Sequence, residues 1–66
     1  MNKIAAVRRQ KGMTQFELAK ASGVGRSTIA RLENGDAVDV RATTLLKLAT
    51  VLDCRLDDLF MLVPSN

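Results

Sequence analysis

Between Gly12 and Gly35 the chain reads GMTQFELAKASGVGRSTIARLENG, and no other stretch constrains the fold as much. Thr14 followed three residues later by Glu17 is a capping box, in which the hydroxyl and the carboxylate each satisfy a backbone N–H at a helix start. Met13 and Leu18 occupy the two positions of a hydrophobic staple around the same start. The pattern predicts a helix of two turns over TQFELAKA, broken by Ser22 and Gly23. Val24 and Ile29 repeat the staple spacing, so a second helix follows after a turn of about three residues. That helix ends at Asn34 and Gly35, a pair suited to the left-handed cap. Its start carries Gly25 where a capping side chain is usual, at a cost of only a few tenths of a kcal/mol, roughly.

The flanks read as helices too. Ile4 and Val7 recur at helical spacing in a first segment of about ten residues, which Gly12 stops. After the second glycine, a polar loop from Asp36 to about Arg41 leads into a helix near Thr43 to Leu52. There Leu45, Leu46, Leu48, Ala49, Val51 and Leu52 form a wide apolar face, expected to be the central core element. Asp53 and Cys54 make the next turn. A last helix is predicted from about Leu56 to Leu62, with Asp57 and Asp58 in its first turn, where the helix dipole favours negative charge, and Pro64 closes it. The expectation is an all-α fold: one compact five-helix bundle over residues 1–66, with no strand, linker or repeat.

Composition narrows the chemistry. At 66 residues and 47% apolar content the chain is near the lower size at which a single core holds unaided. The lone Cys54 has no internal disulfide partner, and the absence of histidine excludes a zinc cluster of the usual Cys/His kind. Dipole capping accounts for Asp57 and Asp58 without a metal, so no metal or cofactor is expected. Enzymatic work is not expected either, since without histidine Ser27 has no usual base and no acidic pair lies in a plausible cleft. No apolar run approaches the roughly 20 residues of a membrane span, and no signal peptide is recognisable; a soluble, unprocessed, cytoplasmic chain is the expectation. Charge is split along the chain. Residues 1–35 carry seven basic side chains against two acidic, and residues 36–66 carry three against five. The basic half implies an acidic partner, nucleic acid ahead of a membrane surface.

Two helices joined by a three-residue turn containing glycine form the helix-turn-helix arrangement. With its polar as well as its apolar positions, GMTQFELAKASGVGRSTIARLENG, continued by TLLKLATVLDCRLDDLF, resembles the phage-repressor type of helix-turn-helix domain, the family of the lambda and 434 repressors and Cro. The resemblance spans roughly residues 2–62. It implies sequence-specific binding of double-stranded DNA by a small, nucleoid-associated transcriptional regulator of repressor type, with the third helix in the major groove. The base-reading positions would be Arg26, Ser27 and Arg31, with Ala30 alongside. A helical projection independently leaves 26, 27, 30, 31 and 34 outward when Val24, Ile29 and Leu32 face the core. Phosphate contacts would come from Thr14 and Gln15 at the start of the second helix, Asn34 after the third, and Arg41 before the fourth. The resemblance also implies a structural ion pair between Arg8 and Glu33. Thr28 is expected to support its own helix start, and Phe16 to be packing or a surface contact.

This chain departs from the family pattern at Gly25, Arg41 and Arg55, where small capping residues are common, and in the loop DAVDVR, whose two aspartates are unusual beside DNA. The run Leu59, Phe60, Met61, Leu62, Val63 is more apolar than one helix face can bury within its own domain. Repressors of this type read two half-sites as two-fold dimers, so an isologous homodimer through this run is expected. The competing reading is an antitoxin-like or adapter protein that captures a protein partner through the same run.

Overall fold

The computed structural model describes residues 3–36 and 41–59. Five helices follow in order: α1 (Ile4–Gln10), α2 (Gln15–Ser22), α3 (Arg26–Glu33), α4 (Ala42–Val51) and α5 (Leu56–Leu59), with no strand among the described residues. None is long and apolar enough to cross a membrane.

Helices of seven or eight residues are too short to persist alone, so their ends and their buried faces must define them. At the start of α2 both halves of the capping box are present: Glu17 N–H donates to Thr14 Oγ1 at 3.0 Å, and Thr14 N–H donates to Glu17 Oε1 at 2.9 Å. Gly12, Gly23 and Gly35 all take positive φ, at 70°, 76° and 79°. In that region a side chain would be strained, and the turn it permits lets the orphan carbonyls be satisfied. After α3, Gly35 N–H donates to the Leu32 carbonyl and Asp36 N–H to the Arg31 carbonyl, which is a Schellman closure. The end of α4 closes the same way, Cys54 N–H to Ala49 O and Asp53 N–H to Thr50 O, with Asp53 as the left-handed residue at φ 53°.

The turn between α2 and α3 has the three residues that the sequence pattern suggests, Gly23 to Gly25. Ser22 is not a breaker but the last residue of α2; its hydroxyl donates to the Leu18 carbonyl at 2.7 Å and accepts Val24 N–H at 3.2 Å. One side chain therefore fastens the end of α2 to the first residue leading into α3.

The core is a single cluster. Ile4 of α1, Leu18 of α2, Ile29 of α3, Leu48 and Leu52 of α4 and its cap, and Leu59 of α5 are fully buried, with Val24, Leu32 and Ala49 beside them. Two sequence expectations change here, those for Leu46 and Leu59. Leu46 is 51% exposed and so lies outside the core, because Leu48, Ala49 and Leu52 already fill the face of α4 turned inward. Phe16 is 62% exposed, a surface residue. Leu59 is wholly inside its own domain, so it is not free for a contact between copies; Phe60, Met61, Leu62 and Val63 lie outside the described residues. A hydrogen bond from Lys3 N–H to the Leu59 carbonyl ties α5 back to the start of α1.

Candidate nucleic-acid interface

The helix-turn-helix pair is α2 and α3. On α3 the core takes Ile29 and Leu32 and the preceding Val24, and helical periodicity turns the other side out: Arg26, Ser27, Arg31 and the C-terminal Asn34 are exposed, and Ala30 is partly so. These are the proposed base-reading positions together with one proposed phosphate contact. Gly25 precedes this helix as an N-cap with φ −59° and ψ 138°, and no side chain caps the first turn. Thr14 is exposed at the start of α2. Arg41 is exposed as the N-cap of α4; its own carbonyl accepts from Thr44 and Leu45 N–H, while no side chain caps that turn.

Behind this surface lies a polar knot. Arg8 Nε donates to Glu33 Oε2 at 2.7 Å and Arg8 Nη2 to Glu33 Oε1 at 3.0 Å, a two-point ion pair joining α1 to α3. The two side chains are only 9% and 6% accessible. Arg8 Nη1 also donates to the Met13 carbonyl at 2.8 Å, so the same guanidinium holds the turn between α1 and α2. Gln15 completes the set: its Nε2 donates to Glu33 Oε1 at 2.9 Å. Burying such a charge is tolerable only when it is paired and hydrogen-bonded, which is the case on both sides here. The Glu33 hydrogen bond raises the Arg8 pKa against the opposing effect of burial. Burial pushes the Glu33 carboxyl upward, but the hydrogen bonds from Arg8 and Gln15 and the charges of Arg8 and Arg9 outweigh it and leave that pKa below its ordinary value.

Gln15 is thus half-buried and already engaged inside the protein, a tie the sequence pattern does not disclose. The first residue of α2 and the last of α3 lie at the ends of the pair remote from the turn, so their meeting depends on how the two helices pack. The hydroxyl bridge of Ser22 was equally hidden, since a serine before a glycine reads as a break.

Residues 3–65 match the family of the Cro/C1-type HTH DNA-binding domain. The chain belongs to that family. This Cro/C1-type domain is 42% identical over 59 residues to an HTH-type transcriptional regulator of Archaeoglobus fulgidus, covering 89% of the chain and 83% of the relative. It is 32% identical over 65 residues to the HTH-type transcriptional regulator YgzD of Bacillus subtilis, covering 98% and 97%. The Cro/C1-type fold accounts for the helix order and for the exposed polar face of α3, and it makes the chain a DNA-binding domain of transcription-regulator type.

Proposed function

We propose that the protein is a sequence-specific repressor that lays α3 in the major groove of double-stranded DNA. The observation that carries this reading is the outward face of α3, where two exposed arginines and a serine flank a small side chain, with no competing role in the core. Arg26 and Arg31 would each bond guanine O6 and N7, Ser27 would bond a neighbouring base edge, and Ala30 would touch a thymine methyl. Thr14, Gln15, Asn34 and Arg41 would fix the register by phosphate contacts from the ends of three helices. The domain would act in the cytoplasm on the nucleoid, as an isologous homodimer reading two half-sites about one helical turn apart. With Leu59 buried, the proposed dimer contact would fall to Phe60, Met61, Leu62 and Val63.

The test is selection of bound sequences from a random DNA pool at stated salt, followed by titration of the selected site at several ionic strengths. A two-fold site with G·C pairs in each half, and affinity falling steeply with salt, is expected from phosphate counterion release. The adapter reading, which places the partner on the apolar C-terminal run, has one observation in its favour elsewhere: an open groove of about 310 Å³ between α2 and α4, lined by Ala21, Leu46 and Val51 together with Ser22, Lys47 and Thr50. An apolar partner contact there would be insensitive to salt, and failure to enrich any DNA sequence would favour it.

A further inference from the structure

We propose that Glu33 is a positioning residue for DNA binding: it holds the Gln15 carboxamide so that the start of α2 presents a preformed phosphate contact. The inference rests on the reading of Gln15 as a phosphate ligand. Glu33 Oε1 accepts from Gln15 Nε2 at 2.9 Å and from Arg8 Nη2 at 3.0 Å, while Oε2 takes Arg8 Nε at 2.7 Å. The carboxylate cannot follow a mobile glutamine outward, because Arg8 is itself fastened to the Met13 carbonyl. The geometry is therefore set from α1 and α3 and imposed on α2.

A carboxamide nitrogen has two hydrogens. One is spent on Glu33, which fixes the torsions of the Gln15 side chain and leaves the second hydrogen for an outside acceptor. A free glutamine would lose its rotamer freedom on binding DNA; here that loss is incurred during folding, which is the general advantage of preorganisation. The carboxylate itself stays shielded from phosphate, with its side chain 6% accessible and its charge matched by Arg8.

The experiment is a double-mutant cycle on DNA affinity, using the full chain and random-sequence duplex so that only phosphate contacts are read. Gln15→Ala in the wild-type protein is expected to weaken binding on the order of tenfold, the worth of one hydrogen bond to a charged group. The pair Arg8→Met with Glu33→Leu replaces the buried ion pair by apolar groups, a change that folded domains often accept, and leaves net charge unaltered. It is expected to weaken binding by a similar factor at an unchanged salt slope, and adding Gln15→Ala to it should cost less than twofold more. An equal cost of Gln15→Ala in both backgrounds would overturn the positioning role while sparing the phosphate contact. No cost in the wild-type background would remove the phosphate contact and the inference with it. If circular dichroism shows the double variant unfolded, Glu33→Asp repeats the cycle: its shorter carboxylate keeps the long, adaptable Arg8 and withdraws from Gln15.

Discussion

At the scale of single residues, the reading surface and the register surface should respond differently to truncation. Arg31→Ala should cost about 1 to 3 kcal/mol on the selected site and relax the preference at one base pair, whereas Gln15→Ala should weaken all sequences alike. Fluorescence anisotropy on specific and random duplexes separates the two; equal losses on both DNAs for both variants would sink the assignment of readers. Gly25 raises a separate question. Its φ of −59° suits any L residue, and an added Cβ would meet only Thr28 Oγ1, at an ordinary 3.7 Å. Nothing in the fold demands glycine there. Gly25→Ser should therefore stabilise by about 0.5 to 1 kcal/mol, through a cap on the first turn of α3 and a less flexible unfolded chain. A thermal melt should show the midpoint rising by a few degrees, and a lowered midpoint would mean that the hydroxyl disturbs the turn from Ser22.

At the scale of elements, each helix is held more by its ends than by its length. Asp53 does at the end of α4 what Gly12 and Gly35 do after α1 and α3, and it tolerates the left-handed conformation better than most non-glycine residues. The pattern of caps was legible because it is local: Thr14, Glu17 and the glycines act within a few residues of themselves. The knot of Arg8, Glu33 and Gln15 joins three helices and has a pH signature. A carboxyl whose folded pKa is depressed contributes stability that is present above its unfolded pKa and lost as pH falls through the folded value. For Glu33 the loss should begin below about 4.5, its ordinary value, and continue as the pH falls further. Urea titrations of wild type and of Arg8→Met/Glu33→Leu at a series of pH values should show a steeper acid loss for wild type. Parallel curves would mean that other carboxylates dominate.

At the scale of the whole molecule, nine buried apolar residues among those described, from all five helices and the turns beside them, form one core, and that core fixes which way α3 faces. Ile29 and Leu32 point inward into the buried cluster that Leu18 and Leu48 share, and so Arg26 and Arg31 point out. The C-terminal apolar run divides at Leu59, since a domain this small needs that side chain for itself. The proposed dimer contact then rests on Phe60 to Val63, which lie outside the described residues. Sedimentation velocity at micromolar concentration is expected to find a dimer, with Met61→Asp shifting it toward monomer while the far-UV spectrum is kept; a wild-type monomer would leave DNA as the only element pairing two copies.

The sequence by itself determined the order of helices, the capping box, the glycine turns and the outward set on α3, because each depends on periodicity or on contacts within one turn. It pointed to the Arg8 and Glu33 pair only through family resemblance. Tertiary structure alone decided that Leu46 is on the surface and Leu59 inside, and that Glu33 also holds Gln15. Those outcomes depend on which helix packs beside which, and an apolar residue on a wide face carries no local mark of the neighbour it will meet.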